Sequence, residues 1–225
     1  MAAGKAKRLG IALILLSIIA VTLGWWFSVG NPIMYLTHSV SPGQFLYILS
    51  KLAGLLALVL IGVQVILMLI RASQRFVAVP GISYKRHMQL GLTTFAFCLL
   101  HVVLIFSAIW LRQGKAPWGL LLPDLTANYY KFHLSLGVVA FYVLCAGIVA
   151  GWKLRGNKPG WKAVHMMWPL AVGLAYWHSL SIGSESRMGI VLVTLWLLAA
   201  VICTALVMRL IAAYKAPGLW RIRTD

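Results

Sequence analysis

The chain has 225 residues, of which 62% are hydrophobic, and only three side chains are acidic, which excludes a water-soluble globular domain. The net charge of +17 does not indicate nucleic-acid binding, because the lysines and arginines stand between long apolar blocks. At such positions they orient helices in a membrane and contact anionic lipid. The composition therefore predicts an all-α polytopic membrane protein in contact with the lipid bilayer.

Six apolar blocks are each long enough for a membrane-spanning helix, which needs about 20 residues. In chain order the blocks are residues 9–29, 45–70, 88–111, 132–152, 162–181 and 189–213. The first block follows basic residues, as in a signal peptide, but it ends in Trp25-Trp26-Phe27 instead of a small-residue cleavage site. The sequence therefore predicts a single domain, residues 1–225, built as a six-transmembrane-helix bundle.

Positive charge is distributed unevenly between the two sides of this predicted bundle. Fifteen lysines and arginines fall on the side of the two termini, and four fall on the opposite side. The remaining cation, Lys51, lies just inside the second block and is expected to extend towards the surface. The positive-inside rule therefore predicts a multi-pass protein of the bacterial inner membrane with both termini in the cytoplasm.

Four of the six histidines form two pairs, each within one predicted helix. His87 and His101 are fourteen residues apart at the third block, and His165 and His178 are thirteen apart at the fifth. These spacings correspond to about 21 and 20 Å, which places one histidine of each pair near each membrane surface. Both helices run in the same direction, so His87 and His165 share the inner level, whereas His101 and His178 share the outer level.

Histidine is costly inside lipid and is therefore a functional candidate. Two facing imidazoles can ligate one haem iron, so the two levels predict two b-type haems between the third and fifth helices, with one haem as the alternative. At about 100° per residue, His87 and His101 share a helix face, whereas His165 and His178 point about 140° apart. Pro169 lies between the latter two and is expected to kink the helix and restore a common direction.

Residues beside the predicted ligands are candidate cofactor contacts. Glycine lets a flat macrocycle approach the backbone, and basic side chains pair with haem propionates. Helix packing and the positive-inside rule explain the same residues equally well. The candidate contacts are Lys85, Arg86, Gly91, Lys162 and Gly173. His133 has no partner at its depth and is a weaker candidate, and His38 is expected at the surface.

Several short segments around these histidines carry a family resemblance. They are Arg-His-Met-Gln-Leu-Gly-Leu at 86–92, Cys-Leu-Leu-His at 98–101, Lys-Phe-His-Leu-Ser-Leu-Gly at 131–137, Trp-Lys-Ala-Val-His at 161–165, Trp-Pro at 168–169 and Trp-His at 177–178. In these segments the chain resembles the ferric reductase-like transmembrane domain family, which includes ferric reductases, NADPH oxidases and bacterial MsrQ (YedZ) proteins. The resemblance covers nearly all of the third to fifth predicted helices.

The resemblance implies two b-type haems held by four histidines. It also implies electron flow from a cytoplasmic-side flavin reductase or quinol to a periplasmic redox partner. About a dozen residues follow the last predicted helix, so a build without a fused FAD- and NAD(P)H-binding module, as in MsrQ, is expected. MsrQ works with a separate molybdenum-containing methionine sulfoxide reductase. MsrQ-type sequences often have arginine where His87 stands, so the four histidines also resemble the general ferric reductase or oxidase core.

Several functions stay open at this point. The leading interpretation is an electron-transfer subunit of an oxidoreductase system, with no catalytic residue of its own and with FMN, FAD or a quinone as an optional further cofactor. A terminal ferric or oxygen reductase would reduce its acceptor at the outer haem. A histidine-based transporter or a structural subunit belongs to other classes. Proton relays usually include buried carboxylates, but Asp124 and Glu185 are predicted in outer loops and Asp225 ends the chain.

Overall fold

A computed structural model describes residues 2–72, 83–126, 128–152 and 160–215. Within these ranges all regular secondary structure is helical. The α-helices are α1 (Ala2–Val29), α2 (Met34–Thr37), α3 (Gln44–Ala72), α4 (Tyr84–Gln113), α5 (Tyr129–Trp152), α6 (Trp161–His165), α7 (Trp168–Ile182) and α8 (Gly189–Lys215). Two 3-10 turns, Trp118–Leu121 and Glu185–Arg187, precede α5 and α8.

In the described part of the chain, five helices are long and apolar enough to cross a membrane, namely α1, α3, α4, α5 and α8. Their bounds lie within a few residues of the predicted spans, except that α1 begins earlier than predicted. The predicted all-helical fold is confirmed for the described residues, and several helices of this length and composition are compatible with a multi-pass protein in a lipid bilayer.

The predicted span 162–181 is not one continuous helix. It is divided into α6, which ends at His165, and α7, which begins at Trp168 and has only 15 residues. Pro169 lies in the first turn of α7 and has no N–H to donate to the carbonyl of His165, so the helix is interrupted there. The kink expected at Pro169 is thus a full break, and the six-helix count is not confirmed.

Helix α3 lies at the centre of the molecule and packs against α1, α4, α7 and α8. In its most apolar window 61% of the residues are buried, compared with 11% in α4. The main core joins α1, α3 and α8 and includes Val21, Trp25, Val59, Val191 and Leu195. Across this core the indole N–H of Trp25 donates a hydrogen bond to the carbonyl of Ile48 at 2.9 Å.

Helices α3 and α4 form one hairpin, and α5 together with α6 and α7 forms a second hairpin. A cavity lies between the two. Helix α4 packs along α3, and α5 packs along α6 and α7, whereas α4 and α5 have little direct contact. Helix α4 begins after Ser83, whose hydroxyl accepts from the backbone N–H of Arg86. It ends at Gln113, and the next residue, Gly114, adopts the left-handed conformation that favours glycine. The four paired histidines lie between the two hairpins.

Candidate functional site

His87 on α4 and His165 on α6 lie close to each other across the two hairpins. Their ring centres are 6.0 Å apart, and the ring planes are perpendicular. Two imidazoles that bind one metal ion have ring centres about 6 Å apart, from about 2 Å for each metal–nitrogen bond and about 1 Å from nitrogen to ring centre. The observed separation therefore suits two ligands of one metal ion.

His101 and His178 line a common cavity between the hairpins, with a volume of about 260 Å³. The cavity follows α4 from Thr94 to Ile109, which is about 22 Å along the helix axis. Its walls are mainly apolar, and neither His87 nor His165 lines it. The structure thus brings the four histidines together in the two combinations expected from their levels, at two separate places.

The Nδ1 atom of each paired histidine has a hydrogen-bond partner on a neighbouring helix. Three of these partners are backbone carbonyls: Ser50 for His101 at 2.7 Å, Gly147 for His165 at 2.9 Å and His133 for His178 at 2.9 Å. A carbonyl oxygen only accepts, so the proton of these rings lies on Nδ1 and the lone pair on Nε2 is left for a metal. The fourth partner is the side-chain amide of Gln64, whose nitrogen lies 3.1 Å from Nδ1 of His87.

Glycines on the neighbouring helices make room for three of the rings. A Cβ atom would lie 2.9 Å from Nδ1 of His101 if added at Gly54, 2.7 Å from Nδ1 of His178 at Gly137 and 2.8 Å from Nδ1 of His165 at Gly151. Real Cβ atoms essentially never approach so closely, so a side chain at any of these positions would displace an imidazole. The sequence-based selection of glycines missed all three positions.

The two glycines selected from the sequence have different surroundings. A Cβ at Gly91 would lie 3.3 Å from the amide nitrogen of Gln64, so Gly91 borders the partner of His87. A Cβ at Gly173 would meet nothing within 4 Å, and this residue is exposed. The structure therefore brings Gly91 close to the histidine site and leaves Gly173 on the surface of the bundle.

The three basic candidate contacts lie on the molecular surface. Lys85 and Arg86 are exposed in the first turn of α4, and Lys162 is exposed in α6. They lie within a few residues of His87 and His165, so all three mark the same end of the bundle as that histidine pair.

His133 and His38 differ sharply in their environment. His133 is only 7% exposed, its Nδ1 lies 2.7 Å from the carbonyl of Tyr129, and its own carbonyl accepts from His178. His133 is therefore a support for His178. His38 is exposed and contacts the hydroxyl of Thr37 through Nδ1.

A buried ion pair lines the cavity shared by His101 and His178. Lys51, which was expected to extend to the surface, lies 2.9 Å from the carboxylate of Glu185, which is only 6% exposed. The hydroxyl of Ser184 contacts both partners. Glu185 lies in the 3-10 turn before α8, outside the spanning helices as predicted, but it belongs to the cavity wall.

The residues that support the histidines, which sequence reasoning missed, repeat the spacing of the histidines. The supporting residues Ser50 and Gln64 on α3, and His133 and Gly147 on α5, are each fourteen apart. His87 and His101 have the same spacing, because residues at two levels of neighbouring helices must repeat at one interval. The interval alone would not have located them, because Ser50, Gly147 and His133 act through backbone carbonyls, which every residue has.

The donor set limits the kinds of metal centre that the site suits. Among the described residues, no group of three or more histidine, cysteine, aspartate or glutamate side chains can hold a metal ion. Each histidine pair offers two ligands, the number that a haem iron takes from protein when the porphyrin supplies its four nitrogens. The number of histidines in each pair therefore matches a haem iron with two protein ligands. No family model, no curated protein and no solved structure matches this chain.

Proposed function

We propose that this chain is a b-type dihaem cytochrome that carries electrons across a membrane. His87 and His165 hold the inner haem, and His101 and His178 hold the outer haem. The observation that carries the proposal is the meeting of the four histidines in two pairs, one with ring centres 6.0 Å apart and one in a common cavity. The resemblance to ferric reductase-like membrane domains supports the same assignment.

The protein residues in this proposal fix the ligands and exclude water. Backbone carbonyls of Ser50, Gly147 and His133 keep the proton on Nδ1 of three ligands, so that Nε2 is available. Apolar residues such as Leu58 and Phe141 form the wall beside His101 and His178. When bound, haem supplies the one-electron chemistry of its iron.

The direction of electron flow in this proposal follows from the charged surface. Lys85, Arg86 and Lys162 are exposed near His87 and His165, and the positive-inside rule assigns such an end to the cytoplasm. We therefore propose a protein of the bacterial inner membrane with both termini cytoplasmic and with α6 and α7 together as a sixth, broken span. The donor is a flavin reductase or quinol, and the acceptor is a periplasmic redox protein, as in MsrQ-like systems.

The first experiment measures haem content and the reduced-minus-oxidised spectrum of the full chain, expressed with ample haem and purified in detergent. We expect two haems b per chain with the low-spin bands of bis-imidazole ligation. The variant His38→Ala, altered at an exposed histidine, is the control and should keep both haems. One haem per chain would contradict the occupancy of both pairs, and none would overturn the function.

A second candidate function is a proton-linked transporter. It is favoured by the ion pair of Lys51 and Glu185, which shares one cavity with His101 and His178. In this case the purified chain carries no haem, and proteoliposomes take up protons in a manner that Glu185→Gln abolishes. Two bound haems together with unchanged proton leakage would exclude this alternative.

A further inference from the structure

One of the four paired histidines is held differently from the other three. His101, His165 and His178 each place Nδ1 against a backbone carbonyl, whereas His87 places it against the side-chain amide of Gln64. A carbonyl oxygen accepts only, but an amide side chain can accept through its oxygen or donate through its nitrogen. The amide of Gln64, unlike a carbonyl, is therefore compatible with either neutral tautomer of the ring.

The orientation of the amide decides whether His87 can ligate a metal. The amide nitrogen of Gln64 lies 3.1 Å from Nδ1. In this arrangement the amide donates, Nδ1 accepts, and the ring proton lies on Nε2, the atom that a metal would need. If the amide turns its oxygen towards Nδ1, the proton moves to Nδ1 and the lone pair of Nε2 becomes available.

The surroundings of Gln64 indicate a specific role for this amide. Gln64 is half-buried in the apolar run of α3, where a polar side chain carries a desolvation cost. Gly91, one turn after His87, leaves the space that the amide occupies, because a Cβ there would lie 3.3 Å from its nitrogen and 3.8 Å from its oxygen. The contact therefore involves a costly polar residue and a glycine that accommodates it.

We propose that Gln64 is a positioning residue that selects the tautomer of His87 and so makes ligation at the His87–His165 pair conditional on the amide orientation. The three histidines held by backbone carbonyls have one tautomer and no such choice. This inference rests on the proposed haem function for its consequence, but the tautomer itself exists without haem and can be measured separately.

The first test examines haem-free full-length protein by ¹⁵N NMR of the histidine rings. We expect the proton of His87 on Nε2 and the protons of His101, His165 and His178 on Nδ1. A carboxylate only accepts, so Gln64→Glu should move the proton of His87 to Nδ1. The inference is overturned if His87 carries its proton on Nδ1 both in the wild type and in Gln64→Leu.

The second test follows haem transfer from the loaded protein to an excess of apo-globin. Gln64→Leu removes the amide that contacts Nδ1 of His87, and loss of such an outer contact typically weakens metal retention about 10–100-fold. Gln64→Glu should retain this haem and lower its midpoint potential, because a negative charge near the ligand stabilises the oxidised iron. Gln89→Leu, at an exposed position of α4, is the matched control and should behave as the wild type.

The two proposals fail in different ways. If the wild type binds two haems and both Gln64 variants release them at the wild-type rate, this inference is wrong and the cytochrome function stands. If the wild type binds no haem, the cytochrome function is wrong, and the NMR measurement still decides whether Gln64 selects the tautomer of His87.

Discussion

The two histidine pairs use similar elements but are held in different ways. At the pair His101–His178, both rings are fixed by backbone carbonyls and by glycines on the neighbouring helices, and the cavity between them contains the ion pair of Lys51 and Glu185. Every contact to Nδ1 at this pair comes from the backbone, so a change of tautomer would break a hydrogen bond.

The pair His87–His165 has one fixed ring and one adjustable ring. His165 is held by the carbonyl of Gly147, but it is also the last residue of α6, directly before the helix break. Nδ1 of His87 contacts the side-chain amide of Gln64. The comparison teaches that a backbone partner specifies a single state of a ligand, whereas a side-chain partner leaves an alternative.

The largest expected effect is the loss of one whole haem after removal of a ligand. His101→Ala and His178→Ala should each abolish the same haem, and His87→Ala and His165→Ala should each abolish the other, because each iron loses half of its protein ligands. Haem content and spectra of the single variants test this, with His38→Ala as the control. Loss of a common haem in His87→Ala and His101→Ala would contradict the pairing.

The next effect concerns the ion pair of Lys51 and Glu185 in the cavity shared by His101 and His178. Lys51→Met leaves the buried carboxylate of Glu185 without its cation and should cost about 3 kcal/mol of stability, at the lower end for buried pairs since Lys51 is 23% exposed. Thermal unfolding in detergent measures the change. The double variant Lys51→Met/Glu185→Gln should regain most of it.

A matched control for the ion pair is Arg112→Met. Arg112 is exposed, and its guanidinium donates a hydrogen bond to the side-chain oxygen of Gln44. Replacing this side chain should therefore change stability by less than about 0.5 kcal/mol. Equal destabilisation by Lys51→Met and Arg112→Met would show that the buried pair has no special role at this cavity.

A smaller effect is expected from filling the space beside one ring. Gly137→Ala places a Cβ 2.7 Å from Nδ1 of His178 and should weaken haem retention at that pair about 10–100-fold, with the haem at His87 unaffected. Gly173→Ala, where a Cβ meets nothing within 4 Å, is the control. Haem transfer to apo-globin measures both variants. Equal haem retention in the two variants would rule out ring displacement.

The smallest expected effect comes from repairing the helix break. Pro169→Ala supplies an N–H for the carbonyl of His165, and such a hydrogen bond is worth about 1 kcal/mol. A continuous helix would rotate His165 away from His178 and weaken haem retention at the pair His87–His165. Circular dichroism and haem transfer test this. Increased helix content without any change in haem retention would show that the break does not set the ligand direction.

The sequence alone determined the all-helical, strongly apolar character of the chain, the approximate bounds of four long helices and the histidine spacing, because these depend on hydrophobicity and on residue intervals along one chain. It also indicated that Pro169 disturbs its helix, since the missing N–H is a property of the residue itself. The effect of that disturbance could not be derived from the sequence, because a kink and a break depend on the contacts that the neighbouring helices provide.

Tertiary structure alone decided which residues hold the histidines. Ser50, Gln64 and Gly137 lie far along the chain from the rings they contact, and no local pattern links them to those rings. The ion pair of Lys51 and Glu185 likewise joins two residues that are far apart along the chain. The physical reason is that hydrogen bonds and close packing between helices depend on which faces meet, and the chain specifies those faces only once it has folded.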